Sequence, residues 1–262
     1  MGYPRVVRTL LSVVIAIVVA TGCSGSKTSG RKVRVAAASD LQTAFLEVAK
    51  EFTAKTGIAP EFQFSSSGLL AKQIEQGAPY FLFASANKEF TEQVAKSGRC
   101  DAASKQLYAR GRIVVWTAPD KPAPKTLEDL AKPEFGKIAI ANPEHAPYGV
   151  AAKQSLQKAG VWDRVADRIV LGENVSATML FAKNGDVNAA IVALSLAVVA
   201  KGGSTLPIDP ALHEPLDQQL VVCGTGSESD DARQFAAFLA SREGREIMTR
   251  YGFTLPEGPA QN

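Results

Sequence analysis

Four short stretches of this chain set small or hydroxyl-bearing residues where an extended run gives way to a helical pattern. They are Ser39 in VRVAAASDL, Ser67 in FQFSSSGLL, Tyr148 in NPEHAPYG and Val175 in ENVSATML. The first turn of a helix leaves backbone N–H groups without intrahelical partners, and the macrodipole adds about half a positive charge there. Such ends attract anions. None of the four carries Lys or Arg at the start itself. If they converge, backbone amides and two serine hydroxyls would hold an anion without any formal positive charge, each charge-assisted hydrogen bond contributing about 1.5–3 kcal/mol. A single junction would need no more than Ser39 capping its own helix. The recurrence of the pattern is what raises a binding site above that reading.

Other chemistries find little support. The two histidines, His145 and His213, lie far apart and lack metal-ligand spacing. No serine sits in G-x-S-x-G or S-x-x-K, which argues against an exported serine hydrolase, and no catalytic residue is assigned. There is no phosphate-binding G-x-x-x-x-G-K-[ST] loop, and GTGSES at 224–229 fails the dinucleotide pattern. No cofactor is expected. Without a basic run or interleaved aromatic and basic residues, nucleic acid is not an expected partner either.

The elements that would position the four junctions read as strands alternating with helices, which predicts an α/β fold with a mostly parallel sheet. After Val33–Ala38, the spacing of Leu41, Phe45, Val48 and Phe52 predicts an amphipathic helix that ends near Gly57. Strands are expected at 60–64, 81–84, 112–117, 137–141, 169–171, 187–194 and 220–223. Helices are expected at 69–76, 87–97, 148–159, 177–183, 230–240 and 243–251, with short ones after Thr126 and Ser195.

The first 22 residues stand apart. Arg5 and Arg8 precede an apolar run, Leu10–Ala20, that is too short to span a bilayer and reads as an export signal. Removing it takes away two arginines and no acids, so the formal charge falls from +3 to +1. The signal closes with ATGC, which resembles the lipobox of bacterial lipoproteins, although alanine stands where leucine is preferred. That resemblance implies a lipid on Cys23, an anchored location at the periplasm or cell surface, and a flexible Ser/Gly/Lys-rich tether from 24 to 31. In an exported compartment Cys100 and Cys223 can pair, but spacing alone does not decide it. The residues from 257 to 262 read as a disordered tail.

Taken together, AAASDL at 36–41, FSSSGLLAKQI at 64–74, GAPYFLFASAN at 77–87, NPEHAPYGVAAKQSLQKAGVW at 142–162, ENVSATML at 173–180 and RYGFT at 250–254 resemble the molybdate-binding proteins of bacterial molybdate ABC importers. The similarity runs in order over nearly the whole chain after the signal. It implies a two-lobed periplasmic binding protein of type II, with 32–111 and 206–256 as the first lobe and 112–205 as the second. Two crossover segments join the lobes, which hinge over one tetrahedral oxyanion, molybdate or tungstate.

By the same resemblance Ser39 and Ser67 are side-chain donors to the oxyanion, while Asp40, Tyr148 and Val175 act through main-chain N–H groups. The Asp40 carboxylate is expected to point away from a dianion, and His145 to stabilise its turn. Trp116 and Trp162 are expected to pack the core or the lobes. The implied partners are a membrane permease and the oxyanion itself, and the chain is expected to act as a monomer. Two positions depart from the family pattern: Phe81 replaces an aspartate, and Ala193 stands where some members donate a tyrosine hydroxyl. Capture of sulfate or phosphate is the near alternative. Ester hydrolysis and ligand sensing for a signalling receptor are more distant ones.

Overall fold

A computed structural model describes residues 1–2 and 30–255. The expected export signal beyond Gly2, the Cys23 anchor and the tail from 257 lie outside the described residues. Among those described, no helix is long and apolar enough to cross a membrane. Arg31, assigned above to the tether, is already part of the fold. Its carbonyl accepts from the Ala59 N–H at 2.8 Å, and its guanidinium pairs with Asp231 at 2.7 Å.

Two five-stranded sheets, each covered by helices, make the two lobes. The first begins with β1 (Lys32–Ala38), α1 (Gln42–Thr56), β2 (Ala59–Ser65), α2 (Ser67–Glu75), β3 (Leu82–Ser85), α3 (Lys88–Lys96) and β4 (Gln106–Gly111). The chain then crosses to the second lobe, which holds β5 (Ile113–Thr117), β6 (Ile138–Ala141), α4 (Pro147–Lys158), α5 (Trp162–Val165), β7 (Ile169–Gly172), α6 (Val175–Lys183), β8 (Ala189–Ala193), α7 (Leu194–Ala197) and β9 (Ser204–Pro207). It returns to finish the first lobe with β10 (Leu216–Val222), α8 (Ser227–Ala240) and α9 (Arg242–Arg250). Leu206 and Pro207 of β9 pair with β5, so the return crossing runs over 208–215 and not from 206.

The sheet orders are β2-β1-β3-β10-β4 and β7-β6-β8-β5-β9. In the first, β1 runs parallel to β2 and β3, whereas β10 is antiparallel to β3 and β4. In the second, β6 runs parallel to β7 and β8, whereas β5 is antiparallel to β8 and β9. The sheets are therefore mixed, and the expectation of a mostly parallel sheet is corrected. Each antiparallel strand follows a crossing between lobes, where no helical return within one sheet fixes a parallel direction.

The α1 stripe behaves as its spacing predicts. Leu41, Phe45, Val48 and Phe52 are all buried, and the helix stops at Gly57, whose φ of 71° suits glycine. Phe45 and Phe52 meet Phe235 of α8 edge-on, and Phe45 also packs beside Phe62 and Tyr108. That aromatic cluster holds one face of the first sheet rigid beneath the end of β1. The second lobe is packed chiefly by aliphatic residues of β6 and β8, with Trp116 buried among them. Trp162 is partly buried, with the Lys153 ammonium over its ring.

Cys100 and Cys223 are joined by a disulfide across 123 residues of sequence. Both ends belong to the first lobe, so the closed loop contains the entire second lobe. Constraining so long a loop in the unfolded chain is expected to stabilise the protein by about 2–5 kcal/mol. A Cys100→Ser, Cys223→Ser double variant should show a lower denaturant midpoint by that margin, while the folded protein keeps its ligand affinity.

Candidate functional site

All four helix-start stretches of the sequence come together between the lobes, around one small cavity. The end of β1 brings Ala38, Ser39 and Asp40; the end of β2 brings Ser65, Ser66 and Ser67; Ala86 follows β3. The second lobe adds Ala146, Pro147 and Tyr148 at the start of α4, and Val175 at the start of α6. The lining carries no lysine, arginine or histidine side chain.

Local sequence explains why these ends meet. The small residues Ala36, Ala37 and Ala38 are fully or almost fully buried, and Ala38 lines the cavity. Pro147 occupies the first turn of α4, where its missing N–H costs nothing. Asn174 caps α6 by accepting from the Ala177 N–H at 3.0 Å, which leaves the Val175 end facing the cavity.

Ser39 does not cap its helix. A short 3-10 turn, Ser39–Leu41, precedes α1, and neither it nor α1 has a side-chain cap. The Ser39 hydroxyl receives only a long contact from the Ser176 N–H, at 3.4 Å. The Ser67 hydroxyl accepts from the Ala86 N–H at 3.0 Å, which leaves its own proton to donate. Both serines are buried, at 3% and 1% exposure, so an unmet donor there has strong need of an acceptor.

Asp40 is 1% exposed, and its carboxylate joins the two lobes. Its Oδ2 accepts from the Tyr148 hydroxyl at 2.9 Å and from Gln218 Nε2 at 2.5 Å, while Oδ1 has no hydrogen-bond partner. Gln218 in turn accepts from the Tyr108 hydroxyl at 3.0 Å. Burial raises the Asp40 pKa to about 6, although hydrogen bonds from Gln218, Tyr148 and its own main chain favour the ionised form. Burial, and then the charge of Asp40, push both tyrosines well above their ordinary range.

Further contacts close the lobes on each other. Ser176 Oγ donates to the Ser39 carbonyl at 2.8 Å, and Ser195 Oγ donates to the Asp40 carbonyl at 2.7 Å. His145 does more than stabilise its own turn. Its carbonyl accepts from the Gly68 N–H at 2.9 Å, and its Nδ1 meets Ser66 Oγ at 2.8 Å.

A family model described as bacterial extracellular solute-binding protein matches residues 33–254. The chain belongs to that family. This solute-binding protein is 32% identical over 253 residues to the molybdate-binding protein ModA of Rhodobacter capsulatus, covering 94% of this chain and 97% of that one. It is 30% identical over 252 residues to a putative ABC transporter substrate-binding lipoprotein, YvgL, of Bacillus subtilis, covering 93% and 96%. Its fold superposes on the periplasmic molybdate-binding protein of Azotobacter vinelandii with a TM-score of 0.79 at 31% identity, covering 86% of this chain and 100% of that structure.

The two departures from the family pattern fall differently in this solute-binding protein. Phe81 is outside the cavity lining, in the first lobe beside Arg34, whose guanidinium lies 5.1 Å from the ring centroid. Ala193 ends β8, fully buried and paired with Ile113. Sequence reasoning missed Gln218, Tyr108, Ser176 and Ser195, which hold the site's walls in place. Gln218 sits in the polar-looking run LDQQ of β10, and nothing local marks it as completely buried.

Proposed function

We propose that this solute-binding protein captures molybdate, and tungstate with it, outside the cytoplasmic membrane and delivers it to the permease of an ABC importer. It catalyses no reaction in this reading. The observation that carries it is the small cavity between the lobes, lined by buried serines, Ser39 and Ser67 among them, and by the four helix starts, and free of cationic side chains. The names of its relatives support the choice of ion.

Ser39 and Ser67 donate through their hydroxyls, and Asp40, Tyr148 and Val175 through main-chain N–H groups. All bonds go to oxyanion oxygens. Without a counter-charge, selectivity falls to cavity size and fixed donor geometry, and sulfate, with its shorter bonds, leaves some donors too distant. Export, a lipid on Cys23 and action as a monomer complete the proposal. The lipoprotein description of the Bacillus relative supports the anchor.

Calorimetric titration against molybdate, tungstate, sulfate and phosphate tests the assignment. Molybdate and tungstate should bind with similar affinity, and sulfate and phosphate at least about 100-fold more weakly. Equal affinity for sulfate would sink it.

A further inference from the structure

Within its own lobe the Ser67 hydroxyl is fixed by the Ala86 N–H, 3.0 Å away. Its distance from the second lobe is set by another residue, His145, which meets the chain on both sides of Ser67. The ring Nδ1 lies 2.8 Å from Ser66 Oγ, and the main-chain carbonyl accepts from the Gly68 N–H at 2.9 Å. Both bonds run from one lobe to the other. Ser66 is buried, so the bond from its hydroxyl to the ring is shielded from competing water. A Cβ at position 68 would lie 2.8 Å from the His145 carbonyl oxygen and 2.9 Å from the His145 Cβ, so the glycine after Ser67 is what allows so close a grip.

His145 is itself held firmly. Asn142, just after β6, folds the turn: its carbonyl accepts from the His145 and Ala146 N–H groups at 3.3 and 2.9 Å, and its side chain accepts from the Glu144 N–H at 3.0 Å. The Asn142 N–H donates to the Gly172 carbonyl at the end of β7, at 2.7 Å. The same turn leads directly into Pro147 and Tyr148 at the start of α4, which line the cavity. Hydrogen bonds therefore fix each step from the second sheet, through His145, to the residues flanking Ser67. The other ligand serine has a counterpart in Ser176, which follows Val175 and donates to the Ser39 carbonyl at 2.8 Å.

We propose that His145 is a positioning residue for selectivity: by holding Ser66 and Gly68 it sets the gap between the Ser67 hydroxyl and the main-chain donors of the second lobe, and with it the size of oxyanion that all of them reach at once. The proposal deepens the oxyanion reading of the cavity and rests on it. His145 acts through its neighbours and is not itself part of the cavity lining.

A bond between lobes can act in two ways. One that only favours the closed form multiplies the affinity for every oxyanion by the same factor, the change in closed fraction. One that fixes the spacing of donors changes affinities unequally, because donors held at one distance suit one length of metal–oxygen or sulfur–oxygen bond. The His145 bonds fall on the two residues that flank a ligand donor, which places them in the second class.

Calorimetric titration of the purified protein with sodium molybdate and with sodium sulfate separates the two. In His145→Ala the carbonyl bond to Gly68 survives and the ring bond to Ser66 is lost. The molybdate-to-sulfate affinity ratio should fall by about tenfold, chiefly through weaker molybdate binding. His145→Asn places an amide near the position of Nδ1, able to donate to Ser66 Oγ or accept from it, and should bring the ratio back to within about threefold of the wild type. A partial loss of folded protein lowers the binding of both ions alike and leaves the ratio untouched. An unchanged ratio in His145→Ala, whether both ions weaken together or neither does, overturns the inference and leaves the proposed function standing. The same holds if His145→Asn shows a ratio as low as His145→Ala. A wild-type protein that binds sulfate as well as molybdate overturns both.

Discussion

With Ser39 and Ser67 both replaced by alanine, molybdate affinity is expected to fall by about 10²–10⁴-fold, each hydroxyl contributing about one to two orders of magnitude. Each substitution deletes one donor to a buried charge, in a cavity where water cannot take its place. The two single variants separate binding from folding. Ser39→Ala leaves the Ser39 carbonyl bonded to Ser176 and loses only the 3.4 Å contact to its hydroxyl, so its thermal midpoint should match the wild type. Ser67→Ala also strips the Ala86 N–H of its 3.0 Å acceptor, which costs about 1–3 kcal/mol of stability in the ligand-free protein. Unchanged affinity in both single variants would put the site elsewhere.

Ser39 and Ser67 were legible because their signals are local. A run of small residues, a hydroxyl and a helical stripe all fall within a dozen positions. Tyr148 and Val175 were legible for the same reason, through the PYG turn and the start after Asn174. Gln218 was not, because what makes it part of the site is a bond to Asp40, 178 residues away in sequence. The Tyr148 hydroxyl is a similar case. Sequence placed its backbone at the site, but its bond to Asp40 depends on how the lobes meet.

The strand directions carried a signal that went unread. β4 ends at Gly111 and β5 begins at Ile113, with only Arg112 between them. Two strands so close cannot be parallel neighbours in one sheet, which requires a crossover of about a dozen residues. Read that way, QLYARGRIVVWT is one extended run crossing between lobes. β9 was hidden by composition, since STLP is short and ends in proline, which confines it to a sheet edge.

Gly111, the last residue of β4, gives the second large effect. A Cβ there would lie 2.2 Å from the Tyr148 hydroxyl, 3.0 Å from its Cζ and 3.1 Å from Gln218 Nε2. Its φ is not positive, so alanine meets no backbone strain and the penalty is steric. The clash spans the lobes, with Gly111 in the first and Tyr148 in the second. Tyr148 is fully buried and held by Asp40 and Gln218, so it can yield only by giving up those bonds or by moving with its lobe. In Gly111→Ala the cheaper course is for the lobes to stay apart, and each tenfold drop in the closed fraction raises the apparent Kd about tenfold. An affinity loss of about 100-fold is expected, with a ligand-free thermal midpoint close to the wild type because each lobe keeps its own core. Small-angle scattering should show the wild type contracting when molybdate is added and Gly111→Ala remaining extended. Combining Gly111→Ala with Tyr148→Leu removes the clashing ring and should restore part of the lost contraction. A Gly111→Ala protein that contracts and binds like the wild type would mean that the Asp40–Tyr148–Gln218 contact is not what closes the lobes.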